Sequence, residues 1–124
     1  MPHVTVWEEG GIYWKFHGRL DAEELHEANG EMLGDARFDL MDYYIWDALD
    51  VTELGANEED ANETAFFDAS ASTHNQNVKG ALLATDSTLR MLLEVYITTS
   101  AERGSPWKLQ LFDNLEDARA WLAS

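Results

Sequence analysis

The chain opens with two runs of alternating apolar and polar residues separated by a pair of glycines. Residues 3–8 place Val4 and Val6 on one face, and residues 9–11 read as a turn before a second run at residues 12–17. Alternation with a period of two is typical of β-strands, so the two runs predict a β-hairpin. The even-numbered residues of the second run are large and apolar, which predicts that this side of the strand faces the core.

Four later segments have apolar residues at helical spacing, and each follows a residue that caps helices well. The predicted N-terminal caps are Asp21, Asn57, Asp86 or Ser87, and Asn114. The first helix is expected to reach Gly34 and the second about Asn75. The third is expected to end before a loop at residues 101–106, and the last covers residues 115–122.

Apolar segments between the helices predict three further strands. Residues 41–47 are rich in aromatic and β-branched side chains without strict alternation, as in a strand covered on both faces. Residues 78–85 and 107–112 are the other two, and residues 50–55 are expected to be polar loop. The order ββαβαβαβα with right-handed crossovers predicts one α/β domain over residues 1–124. Its sheet should be five-stranded and mostly parallel, with an N-terminal β-hairpin and four helices.

Several segments carry a family pattern. They are the hairpin sequence GIYWKFHGRLDAEEL, the strand sequences YYIWDALDV and KGALLATD, and the C-terminal sequence FDNLEDARAWL. Together they span nearly the whole chain and resemble the SpoIIAA-like family of the STAS superfamily. The resemblance implies a fold of the predicted order. It also implies a module that acts through protein contacts or by holding a small ligand, without catalysing a reaction.

The resemblance also implies a phosphorylated Ser or Thr at the start of the second helix, where this chain has no hydroxyl. The matching stretch is residues 54–57, in which Ala56 and Asn57 occupy the phosphorylated position, and Thr52 is the nearest hydroxyl. A phosphate there would lie beside the carboxylates of residues 58–60 and be repelled by them. No phosphoswitch is therefore expected at this site.

The charge of the chain narrows the range of partners. Its 124 residues include 24 Asp and Glu against 8 Lys and Arg, which gives a formal net charge of -16. Such a surface repels nucleic-acid phosphates and anionic lipid head groups, so no nucleic-acid partner is expected. It fits a basic partner, a high-salt habitat or simply good solubility. With no leader pattern and no transmembrane segment in the sequence, we expect a cytoplasmic protein.

The motifs of common catalytic and metal sites are missing from the sequence. There is no cysteine, no G-x-S-x-G and no phosphate-binding loop, and the four histidines are not at metal-binding spacing. Tyr13, Lys15 and His17 share one strand face, which is either an anion site or the wetter side of the hairpin. We expect no enzymatic activity, no cofactor and no bound metal.

The residues singled out for binding lie on the second and third helices. Phe66 and Phe67 are adjacent and cannot both face one core, so at least one should be exposed or cover a cavity. The third helix, which carries Met91, Val95 and Tyr96, is apolar over more than half its circumference. These residues form either a contact surface for an unknown protein partner or a second copy in a homodimer, or a lid over a pocket. The pocket would hold a small hydrophobic ligand or lipid, as the fold resemblance of SpoIIAA-like proteins to CRAL-TRIO domains implies. Plain packing of the two helices against each other is the remaining interpretation.

Overall fold

The computed structural model describes residues 3–124, and within this range it confirms the predicted α/β fold with five strands and four helices. The strands are β1 (His3–Glu8), β2 (Gly11–Leu20), β3 (Tyr43–Leu54), β4 (Lys79–Leu83) and β5 (Lys108–Phe112). The helices are α1 (Ala22–Leu33), α2 (Glu58–Ala71), α3 (Ser87–Glu102) and α4 (Leu115–Leu122). A short 3₁₀ helix (Ala36–Leu40), which was not predicted, precedes β3.

The strands lie in the sheet in the order in which they occur along the chain. β1 pairs with β2 in antiparallel fashion, and every later pair is parallel. Because right-handed crossovers that step in one direction place their helices on the same face, α1, α2 and α3 cover one side of the sheet. Helix α4 follows the last strand and packs on the other side.

Each face of the sheet carries its own core. The larger core lies beneath α1, α2 and α3, and the smaller lies beneath α4. Strand β3 serves both, because Tyr44 and Trp46 face the larger core and Ile45 faces the smaller. This double burial explains why the segment has no alternation of polar and apolar residues.

The edge strand β1 turns polar side chains toward α1, and its two valines lie on the opposite side of the sheet. Val4 and Val6 are exposed on the side of the sheet that carries α4. On the opposite side His3 is buried, and its imidazole contacts the carboxylates of Glu24 and Glu31 on α1. The first strand is therefore attached to the helical layer by ion-pairing groups.

Two predicted boundaries were wrong by several residues. The segment 50–55, expected to be loop, is mostly strand, because β2 and β3 extend together to Leu20 and Leu54 and stay paired. Helix α2 ends at Ala71 instead of about residue 75. Beyond it, the side-chain amide of Asn75 donates 2.8 Å hydrogen bonds to the carbonyls of Phe38 and Met41, which draws the chain away from the helix axis.

The helix starts agree with the predicted caps. Asp21, Asn57, Asp86 and Asn114 each accept a hydrogen bond from a backbone N–H in the first turn of their helix, and Asp86 takes this role in place of Ser87. Helices α1 to α4 are all too short or too polar to cross a membrane.

Candidate functional site

Helix α2 turns small residues toward the sheet and large apolar residues outward. Its buried residues are Ala61, Ala65 and Asp68, which recur at the spacing of one helix face. Phe66 and Phe67 lie off this face and keep 47% and 45% of their surface accessible. Both phenylalanines singled out by the sequence are therefore at the surface.

The two phenylalanine rings contact each other edge to face, with centroids 6.0 Å apart. The guanidinium of Arg103, the residue that caps the end of α3, lies 4.9 Å from the centroid of the Phe66 ring. A cation over an aromatic face at an exposed site contributes about 0.5–1 kcal/mol. These contacts position the aromatic pair while leaving much of its area open.

Helix α3 adds Met91, which is 67% exposed, and the half-buried Val95. They border an open groove between α2 and α3, whose remaining lining residues are Glu58, Asn62, Glu94, Thr98 and Thr99. Both charged residues of the groove are acidic. The four apolar residues Phe66, Phe67, Met91 and Val95 are referred to below as the α2–α3 surface.

A cavity of about 50 Å³ lies between the sheet and helices α1, α2 and α3. Its wall is mostly apolar and includes Leu25, Met32, Leu82, Leu92 and Leu93. Among the wall residues Asn29 and Thr64 are half-buried and the others are buried, so the cavity comes nearest to the surface between α1 and α2. The predicted pocket lay beneath α2 and α3 alone, whereas α1 also contributes to this one.

Tyr96, the fifth residue singled out for binding, faces this cavity and not the surface. Its hydroxyl donates a 2.5 Å hydrogen bond to Oδ2 of Asp68 and lies 2.6 Å from the hydroxyl of Tyr44. Because the single Tyr96 proton goes to Asp68, Tyr44 donates to Tyr96. All three residues are buried and line the cavity, which therefore has one polar side.

Burial dominates the electrostatics of this polar side. It raises the pKa of Asp68 to about 7, against the lowering effects of the Tyr96 hydrogen bond and of the nearby Asn29 amide. Burial and the Asp68 charge raise the pKa values of Tyr44 and Tyr96 well above their usual range. Near neutral pH the two tyrosines keep their protons, whereas Asp68 is divided between its protonated and ionised forms.

The position that the SpoIIAA-like resemblance would assign to a phosphorylated residue forms a helix cap. Ala56 is buried at the junction of β3 and α2, and the Asn57 side chain forms a reciprocal capping box with Asp60. Thr52 is exposed on β3. The Asn57 side chain therefore accepts a hydrogen bond from the helix-start N–H of Asp60, which a phosphate would otherwise contact.

The face carrying Tyr13 and Lys15 is not free to bind an anion. The Lys15 ammonium lies 3.0 Å from Asp50 and 3.8 Å from Asp47, and the Tyr13 hydroxyl donates a 2.5 Å bond to Asp47. These carboxylates balance the lysine charge and face the same side. His17 is exposed at the end of this row. The interpretation as the wetter side of the hairpin fits this arrangement.

Among residues 3–124 there is no cluster of three or more histidine and carboxylate side chains arranged to hold a metal ion. No family model matches the chain, and no curated protein is recognisably similar to it.

Sequence reasoning missed Asp68, Tyr44 and Trp14 as members of a polar cavity wall. One signal was available for Asp68, since it follows Ala61 and Ala65 at helical spacing and so must share their inward face. Nothing local marks Tyr44 or Trp14, because both lie within apolar strand segments and line the same cavity as Asp68 only through the tertiary fold.

Proposed function

We propose that this protein is a non-catalytic interaction module of the SpoIIAA-like type, located in the cytoplasm, that binds a partner protein through the α2–α3 surface without a phosphoswitch. The observation that carries the proposal is the pair of adjacent, nearly half-exposed phenylalanines on α2, together with the exposed Met91 on the neighbouring helix α3. Burial of apolar area contributes about 25 cal/mol per Å², so a partner that covers these side chains gains affinity from them. Clustered exposed apolar residues of this kind are typical of contact surfaces.

Charge favours a basic, amphipathic partner. The groove beside the apolar residues carries Glu58 and Glu94, and the chain as a whole has a net charge of -16. A positively charged segment is attracted to such a surface and oriented on it. Its apolar side chains would then cover Phe66 and Met91 while its basic side chains reach the groove carboxylates.

The alternative function, transport of a small hydrophobic ligand or a lipid, has weaker support. The cavity has a volume of about 50 Å³, whereas a buried apolar cavity known to bind benzene has about 150 Å³. A lipid chain would require the helices to separate.

Binding of a synthetic amphipathic peptide of leucine and lysine tests the proposal by isothermal titration calorimetry. We expect the unchanged protein to bind it and the double variant Phe66→Ser/Phe67→Ser to bind at least tenfold more weakly, because the variant keeps all charges and loses only apolar area. The matched control is Val4→Ser/Val6→Ser, which removes exposed apolar residues from the other side of the sheet and should bind as the unchanged protein does.

Three results would count against the proposal. The first is that the peptide does not bind the unchanged protein, and the second is that the phenylalanine variant binds it as tightly as the unchanged protein. The third is that the valine variant loses as much affinity as the phenylalanine variant, which would indicate charge attraction without a defined surface. Sedimentation equilibrium on the same samples addresses homodimerisation. A dimer that the phenylalanine substitutions convert to monomer would identify a second copy of the chain as the occupant.

A further inference from the structure

The cavity beneath α1, α2 and α3 gathers buried polar atoms that the protein does not satisfy. In the described part of the chain, three buried side-chain polar atoms lack a hydrogen-bond partner: Nε1 of Trp14, Oδ1 of Asp68 and Oγ of Ser100. Trp14 and Asp68 both line the cavity. Unsatisfied buried polar groups are rare and costly in folded proteins, so two on one cavity wall need an explanation.

The two atoms are complementary in kind. The indole Nε1–H of Trp14 is a donor only, and the free oxygen of Asp68 is an acceptor when the carboxyl group is ionised. Tyr96 already holds the other Asp68 oxygen, and the nearby Asn29 amide makes no hydrogen bond of normal geometry to Oδ1, so Oδ1 is left for a ligand. A group that both donates and accepts, such as a hydroxyl or a primary amide, matches this pair.

We propose that the cavity is a binding site for a small neutral molecule with a hydroxyl or amide group and a compact apolar body. The polar group would accept from Trp14 Nε1 and donate to Asp68 Oδ1, and the body would contact the leucine and methionine side chains of the wall. This site is separate from the α2–α3 surface, and the inference does not depend on the proposed interaction function.

The size and access of the cavity define the ligand further. A volume of about 50 Å³ exceeds the roughly 10–15 Å³ that one water needs and is well below the ~150 Å³ that holds benzene. The ligand class is therefore a molecule of a few non-hydrogen atoms, such as a short branched alcohol or a small amide. It would enter between α1 and α2, past the half-buried Asn29 and Thr64.

The chain supplies an internal control for a nuclear magnetic resonance test. The indole N–H of Trp107 already donates a 2.7 Å bond to the carbonyl of Asn75, whereas that of Trp14 has no protein partner. In ¹⁵N-labelled protein titrated with isopropanol or acetamide, we expect a saturable shift of the Trp14 indole resonance at millimolar concentrations. The Trp107 resonance should not move. The Trp14 signal is assigned by its loss in Trp14→Phe.

Two variants connect the shift to the cavity. Ala28→Leu fills space at a wall residue. Trp14→Phe removes the indole donor and leaves the cavity larger, so lost binding in this variant cannot come from lack of space. Binding followed at the backbone amides of α1 should weaken at least tenfold in both. Ala120→Leu, an exposed position on α4, should leave it unchanged. If Ala28→Leu does not fold, Trp14→Phe still decides the question.

Three results would overturn the proposal. One is the absence of a saturable shift with either neutral probe, which would identify the cavity as a site for structural water only. Another is a linear shift shared by all five tryptophan indoles, which would be a solvent effect. The third is a saturable shift with methylammonium chloride but with neither neutral molecule, which would identify a cation site in place of the proposed one.

Discussion

Asp68 is a carboxyl group in an apolar setting, and its pKa of about 7 couples protonation to folding. The group binds its proton more tightly when folded than when unfolded, where its pKa is near 3.8. Its contribution to the free energy of unfolding is therefore fully present below about pH 4 and is lost as the pH rises through about 7. The difference between these two pKa values corresponds to roughly 4 kcal/mol.

Replacing Asp68 by Asn tests this coupling. Asn still accepts the Tyr96 hydroxyl proton but does not titrate. We expect the free energy of unfolding of the unchanged protein, relative to Asp68→Asn, to fall by several kcal/mol between pH 4 and pH 8. Urea denaturation at constant ionic strength measures both proteins. A difference that stays constant over this range would show that Asp68 keeps an ordinary pKa.

Helices and strands differ in how well the sequence predicted their limits. Helix starts were predictable because a cap such as Asn57 acts on the backbone of its own first turn. The end of α2 was not, because it depends on Asn75 reaching carbonyls more than thirty residues earlier. The extension of β2 and β3 to Leu20 and Leu54 depends likewise on pairing between distant segments.

The same distinction applies to the candidate site. Exposure of at least one of Phe66 and Phe67 could be predicted because two adjacent large apolar residues on a helix face different directions. The polar cavity wall could not, because Trp14, Tyr44 and Asp68 come from three elements and meet only in the folded sheet and helix layers.

The cap of α2 gives a prediction for a single helix. Asn57 accepts from the backbone N–H of Asp60 at 3.1 Å, and the Asp60 side chain accepts from the Asn57 N–H at 2.9 Å. Asn57→Ala should lower the free energy of unfolding by about 1 kcal/mol, whereas Asn57→Ser, which keeps a capping oxygen, should cost much less. Guanidinium denaturation measures both. Equal losses in the two variants would assign the effect to something other than the cap.

For the whole molecule, like-charge repulsion is the dominant long-range interaction. The exposed ion pairs, such as Arg19 with Glu53, are each worth about 0–1 kcal/mol, and they involve few of the 24 acidic residues. Sodium chloride should therefore stabilise the fold, because screening weakens the excess repulsion more than it weakens the pairs.

We expect the melting temperature to rise when sodium chloride is increased from 0.01 M to 0.15 M, a change that shortens the screening length from about 30 Å to about 8 Å. Circular dichroism at constant pH follows the transition. The double variant Glu58→Gln/Glu59→Gln, which removes two charges from one helix turn, should show a smaller rise. A melting temperature that falls with salt would mean that the ion pairs outweigh the repulsion.

The strand order has a consequence for where any ligand can bind. Many open α/β sheets bind ligands in a crevice at the carboxyl ends of their strands, where the order of strands reverses and neighbouring connections diverge to opposite faces. Here each strand is added beside the one before it, so the order never reverses and no such crevice opens. The two proposed binding regions accordingly lie in the helical layer, one on its outer side and one in the space that it encloses against the sheet.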